Sequence, residues 1–584
     1  MSRFHLMLTA GLSITLVTAC SQSNDADIAS PSSEAVAPKA ELNEDASEII
    51  VTAQRVNLPL MESAMPISVV SSERIGPAAP QTRSAVVSGT IIAPRRADPT
   101  ASYYQDVGRD KFTSTAENIF KIARDEPVST FSIDVDTASY SFVRASLNSN
   151  SLPQPAAVRT EELINYFPYD YAAPRSAQQP FTSNVAVFPS PFTAGRKLVR
   201  IGIKGYAIER ATRPRANLVF LIDTSGSMNS ENKLPLVKKS LGLLLDQLDR
   251  NDSVAIVTYA GSAGTALEPT SASQKDKILA VIDQLGAGGS TAGAEGIRQA
   301  YALAQRNLDP NGVNRVVLAT DGDFNVGITD QNELKGYIER ERGKGIFLSV
   351  LGFGMGNYND ALMQTLAQNG NGAAAYIDTL GEARKTLVDE ATSTLFPIAK
   401  DVKIQVEFNP ATVAEYRLIG YETRMLNRDD FDNDKVDAGD VGSGQTVTAL
   451  YEIVPVGGPR TIGDLRYTKP APRPVVAGAS EYGFVKIRYK LPKSDRSQLI
   501  STPINRRVEF ARFADAPQDA RFATGVAAFA ELLRGGKYSG SMTYDDVLQI
   551  VGAARGADDF GYRMELVQMV RAAKTAGSIA RLQR

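Results

Sequence analysis

Asp223, Ser225 and Ser227 occupy alternate positions in "NLVFLIDTSGSM" (217–228), directly after a continuous apolar run. Two later segments carry matching groups. "GAGGSTAGAEGI" (286–297) offers Thr291 where a loop enters a helix, and "VVLATDGDFN" (316–325) offers Asp321 straight after a second apolar run. Ser290 precedes Thr291 and presents the same kind of oxygen one residue earlier. Asp223, Ser225, Ser227, Asp321 and either Thr291 or Ser290 are five hard oxygen donors, the type that Mg²⁺ or Mn²⁺ takes in octahedral geometry. Two carboxylates and neutral hydroxyls leave such an ion electron-poor, with room for one more ligand. An acidic side chain from another molecule would complete the shell.

The elements that must position these groups are legible from periodicity. Leu218 to Ile222, Ser253 to Tyr259, Arg315 to Ala319, Ile346 to Gly352 and Ala373 to Ile377 read as apolar strands. Between and after them, Leu234 to Leu248, Lys275 to Leu285, Ala294 to Gln305, Asn332 to Arg342, Tyr358 to Gln368 and Gly381 to Leu395 read as amphipathic helices. Apolar strands alternating with helices predict an α/β domain, a mostly parallel sheet covered on both faces. Such sheets place ligands outside the carboxyl ends of their strands, where the chemistry-bearing residues fall. Before this region, 129–144 and 159–171 read as a strand leading into a helix and as a second helix, and Val185 to Val187 and Leu198 to Ile203 as strands. After Pro397 strands return (Val402 to Phe408, Thr446 to Ile453, Gly483 to Tyr489), and 505–584 is mainly helical.

The three segments, in this order and spacing, resemble the metal-ion-dependent adhesion site of von Willebrand factor type A (VWA) and integrin inserted domains. The resemblance implies Ser225 and Ser227 as direct ligands of Mg²⁺ (or Mn²⁺ or Ca²⁺). It implies Thr291 and Asp321 as ligands direct or through water, and Asp223 as a carboxylate holding water. Ser290 stays open as the alternative to Thr291. The segments "ENIFKIARDEPVSTFSIDVDTASYSFVR", "RTEELINYFPYDY", "GQTVTALYEIVP" and "FGYRMELVQMV" are similar to the flanks of bacterial YfbK-type lipoproteins, over roughly 118–584. The implied architecture is a Rossmann-like, doubly wound VWA domain inserted between β-rich flanking segments, plus a helical C-terminal region.

Arg3 and His5 precede an apolar run, Leu6 to Val17, that closes on Val17-Thr18-Ala19-Cys20. This resembles a bacterial lipoprotein signal, which implies acylation of Cys20 and a membrane contact through that lipid; Ser21 in the next position implies the outer membrane. His5 and Cys20 are the sole histidine and cysteine. Once the signal is removed, disulfides, Cys/His zinc sites and Ser-His or Cys-His nucleophile pairs are excluded. Lys and Arg (63) nearly balance Asp and Glu (65), with no basic stripe, so no nucleic-acid partner is expected. The Ala/Ser/Pro-rich stretch from Ser21 to about Ser102 has no aromatic residue and reads as a tether with a reach of roughly 50 Å. Within it, "EIIVTAQR" (48–55) resembles the start of TonB-dependent receptor plugs and implies a TonB contact; a β-prone linker patch is the competing reading.

Three other signals are weaker. Asp430, Asp432 and Asp434 alternate like an EF-hand loop, but Lys435 and Val441 stand where glycine and glutamate are required. Ser230 and Lys233 fit S-x-x-K without the K-T-G partner of acyl-enzymes. Gly352, Gly354 and Gly356 match no nucleotide-binding pattern. The expected organisation is a signal (1–20), a tether (21–105), an N-terminal flank (106–212), the VWA domain (213–396) and a C-terminal β-rich then helical domain (397–584). The expected function is non-enzymatic recognition of a protein bearing an exposed Asp or Glu, in the cell envelope. The alternatives are an adaptor or chaperone of an assembly machine and a hydrolase with a carboxylate site in the flanks.

Overall fold

The computed structural model describes residues 110–133, 136–290, 293–322, 331–356, 358–436, 438–463, 466 and 480–582. All belong to the compact unit Ala93–Arg584. Cys20, the tether, the 48–55 segment and Thr291 lie outside the described residues.

The centre is a six-stranded sheet in the order Ala374–Ile377, Ile346–Phe353, Val313–Thr320, Ala216–Asp223, Ser253–Tyr259, Ala263–Ser271. All neighbours pair in parallel except the last, which is antiparallel. Every residue of Ala216–Asp223 is buried, as a strand covered on both faces requires. Val219 and Leu221 pack on one face with Ile297, Leu334 and Met363; Leu218, Phe220 and Ile222 pack on the other with Val237, Leu241 and Ile278. Each such side chain contributes roughly 1.5–3 kcal/mol by leaving water. The antiparallel edge strand Ala263–Ser271 escaped the sequence reading because Leu267 is its one fully buried apolar residue and Pro269 interrupts it. An edge tolerates both.

The expected helix 381–395 is three short pieces: Leu380–Arg384, a π-turn over Lys385–Asp389, and Ala391–Leu395. The other helices of the α/β domain fall within two residues of expectation, except that Leu234–Leu245 stops three residues short of Leu248.

The flanking strands form two antiparallel sheets facing each other across one apolar core. In one, Lys197–Gly205 pairs with Thr446–Pro455, and Lys121–Ile122 with Val413–Ile419. In the other, Val128–Ser132 pairs with Pro397–Phe408. Residues from before and after the α/β domain are thus hydrogen-bonded neighbours, so the domain is an insertion leaving this unit after Gly205 and rejoining it at Pro397. Val413–Ile419 and Ser497–Asn505 are strands the periodicity did not announce. The helices Gln518–Arg534, Tyr544–Ala553 and Tyr562–Leu582 pack with Ala138–Asn148 and Thr160–Asn165 around a second apolar core. Thr543 and Asp546 form a capping box that starts the middle one. Among the described residues no helix is long and apolar enough to cross a membrane.

Candidate metal centre

The strand Ala216–Asp223 is followed by a strand on one side (Ser253–Tyr259) and a later one on the other (Val313–Thr320). That reversal of order opens a crevice at the carboxyl ends. Asp223 is the last residue of the first strand, and Asp321 directly follows Thr320, the last residue of its neighbour. Topology alone therefore brings the two carboxylates to one edge, and both are fully buried.

Both oxygens of Asp223 are engaged. Oδ1 accepts the Ser225 N–H at 2.9 Å. Oδ2 lies 3.2 Å from the Tyr259 hydroxyl and 3.2 Å from Thr320 Oγ1, both of which donate to it. This suits a carboxylate that orients its surroundings more than one that grips an ion. Burial pushes the Asp223 carboxyl above its usual range, and the Asp321 charge acts in the same direction. Burial likewise drives the Tyr259 phenol well up, which keeps it a donor.

Ser225 Oγ and Ser227 Oγ are 3.1 Å apart, Ser225 buried and Ser227 exposed. Oxygens on adjacent corners of an octahedron with bonds of about 2.1 Å are about 3 Å apart, so this pair fits a Mg²⁺-sized ion. The 3₁₀ turn Gly226–Asn229 carries the second serine outward, and buried Met228 anchors it. Two backbone bonds fasten the 285–290 loop to this turn: Gly288 N–H to Thr224 O at 2.8 Å and Gly226 N–H to Gly289 O at 3.1 Å. They bring the chain to the crevice at Ser290, whose Oγ lies near Gly261. Thr291, the next residue, lies outside the described residues, so four of the five expected side chains are placed, and those four converge. Among the described residues no three His, Cys, Asp or Glu side chains cluster to hold a metal. A cation here would rest on the Asp321 carboxylate and the Ser225 and Ser227 hydroxyls, with Asp223 orienting the groups around it.

Lys233 was set aside in the sequence as half of an unrelated motif. Its Nζ donates to Asp321 Oδ2 at 2.8 Å in a buried ion pair. The stem passes over Gly354, whose φ of +77° and missing side chain make the passage possible; a Cβ there would sit 2.4 Å from Lys233 Cε. Gly354 thus has a function that its lack of a nucleotide motif concealed. The acidic loop is unrelated: Asp432 and Asp434 pair with Arg488, and Asp430 accepts from Asn427.

The model described as "von Willebrand factor type A domain" matches 217–390, "von Willebrand factor" matches 106–200, and "Uncharacterized protein YfbK, C-terminal" matches 393–576. The chain is 42% identical over 486 residues to "Uncharacterized protein YfbK" of Escherichia coli, covering 82% of this chain and 84% of that one. It is 28% identical over 236 residues to human inter-alpha-trypsin inhibitor heavy chain H4, covering 38% of this chain and 25% of the other. The solved structure of a von Willebrand factor type A protein from Catenulispora acidiphila matches with a TM-score of 0.39 at 15% identity, over 69% of this chain and 91% of that one. With sequence matches running from the N-terminal flank through the crevice to the last helix, the chain belongs to the YfbK family of VWA-domain proteins.

Proposed function

We propose that this protein is a cell-envelope lipoprotein whose VWA domain recognises a protein partner through a divalent cation. The reading rests on one observation: Asp223, Ser225, Ser227 and Asp321 converge at the carboxyl ends of adjacent strands, with the carboxylates buried and Ser227 exposed. Ser225, Ser227 and Asp321 would hold the ion, Thr291 or Ser290 would join them, and Asp223 would orient water and hydroxyls around it. Bound there, the cation supplies a Lewis-acidic corner for an incoming carboxylate. With Asp223 held back to orient water, Asp321 would be the one carboxylate on the ion, which keeps a net positive charge and makes an Asp or Glu of a partner the favoured last ligand. The Asp223 carboxylate already holds the Ser225 backbone, Tyr259 and Thr320, which keeps the crevice rigid before a partner arrives. The role is binding, with Mg²⁺ or Mn²⁺ as the ion.

The anchoring part of the proposal rests on the apolar run Leu6 to Val17 that closes on Cys20, whose lipid would hold the protein on the outer membrane with the folded region at the end of the tether. The test is capture of envelope proteins on the immobilised soluble region with Mg²⁺ and with EDTA, using wild type and Ser227→Ala. A partner retained with Mg²⁺ and lost in both other cases supports the reading; a partner retained equally in all three overturns it.

A further inference from the structure

At the opposite end of the same sheet lies a cavity of about 800 Å³ between the inserted domain and the flanking β unit. Its size is that of small-molecule sites. The short helical pieces at the end of the VWA domain supply part of the cavity's lining, Leu387 and Leu395 among them. Arg315, near the start of Val313–Thr320, and Ser349, on Ile346–Phe353, project from one face of the sheet. Six residues of strand, about 20 Å, separate Arg315 from Asp321.

Arg315 is 3% exposed, and among the described residues its one hydrogen bond runs from Nη1 to Ser349 Oγ at 2.6 Å. Its Nε has no partner there. Burial pulls the guanidinium down to about 10, against the opposing effect of the Asp440 charge. Four carboxylates also line the cavity. Asp136 takes Arg424 at 2.8 Å, Asp389 takes the Tyr562 hydroxyl at 2.6 Å and Glu390 takes Lys385, whereas Asp440, which accepts from Asn371, is the one whose charge partly offsets that of Arg315. A buried, incompletely bonded guanidinium is costly, and an oxyanion is the ligand that repays it. Next along the same face come Val317 and Leu351, with Leu387 and Leu395 across from them. The cationic end thus runs into an apolar wall.

We propose that this cavity binds an amphiphilic oxyanion, a carboxylate or phosphate carrying an apolar chain, with its head group on Arg315 and Ser349 and its tail along Val317, Leu351 and Leu387. The site is independent of the metal crevice and of whatever partner that crevice takes.

The test is calorimetric titration of the full chain with octanoate, octyl phosphate and 1-octanol, on wild type, Arg315→Met and Ser349→Ala. One or both anions bind at one per chain, and the tighter of the two assigns the head group. 1-Octanol binds roughly ten-fold or more weakly, the worth of one charge-assisted hydrogen bond. Arg315→Met loses a similar factor while its melting temperature is unchanged or higher, because an incompletely compensated charge has left the interior. Ser349→Ala weakens the anions a few-fold and covers the case in which Arg315→Met does not fold. The proposal is overturned if neither anion binds, if 1-octanol binds as tightly, or if the folded variants bind both anions like wild type.

Discussion

The Lys233 ammonium sits 2.8 Å from Asp321 Oδ2, inside the crevice where Asp321 is expected to serve a cation. The pair neutralises a carboxylate that is otherwise fully buried beside Asp223. It also sets a fixed positive charge beside any divalent ion that enters. Lys233 therefore stabilises the metal-free crevice and opposes loading.

Replacing Lys233 with methionine keeps the stem over Gly354 and removes the charge. Mg²⁺ and Mn²⁺ then bind roughly ten-fold more tightly, the equivalent of about 1.4 kcal/mol of relieved repulsion. The metal-free variant melts below wild type, since Asp321 has lost its counter-charge. Calorimetric titration and melting curves with and without Mg²⁺ check both halves. Weaker metal binding in the variant would mean that Lys233 assists the ion.

Arg144 ties the two parts of the molecule together. Its guanidinium donates to Asp378, to Glu382 Oε2 at 2.8 Å and to Glu565 Oε1 at 2.9 Å, linking the end of the VWA domain to the C-terminal helix. Arg144→Met leaves three carboxylates without their cation, and Asp378 is already pushed above its usual range by burial. A loss of roughly 3–5 kcal/mol is expected in guanidinium unfolding. A change below about 1 kcal/mol would show that the helices hold the inserted domain without it.

Glu161 is buried, with Glu422 and Glu162 adding to the effect of desolvation, and its carboxyl is pushed up to about 7. A carboxyl raised on folding stabilises the folded state while protonated. That contribution is complete below the unfolded value of about 4.5 and is lost as pH rises through 7. The wild-type melting temperature should therefore fall between pH 5 and pH 8 more steeply than that of Glu161→Gln. Parallel profiles for the two proteins would place the pH dependence elsewhere.

How much of this was visible in the sequence depended on where each residue's partners lie along the chain. Strands buried on both faces, such as Ala216–Asp223, announce themselves by unbroken apolar runs, and the carboxyl-end rule then located Asp223 and Asp321. The edge strand Ala263–Ser271 has a sparse apolar pattern because half its environment is water. The role of Lys233 was hidden because Asp321 is 88 positions away and Gly354 is 121 positions away. Its one local signal was a lysine closing the turn after the two serines. Tyr259 and Thr320 belong to the site through the strand pairing, which fixes which residue stands beside Asp223. The Arg315 cavity has no sequence signature, since its lining is gathered from segments far apart along the chain, from Ser132 to Thr446.

The most direct measurement is the stoichiometry of Mn²⁺ on the purified protein, by electron paramagnetic resonance titration, in wild type, Ser225→Ala/Ser227→Ala and Asp321→Ala. One ion per wild-type chain, displaced by Mg²⁺ and absent from both variants while their circular dichroism matches wild type, is the predicted result. Wild-type binding of Mn²⁺ by either folded variant would contradict the assignment of these side chains.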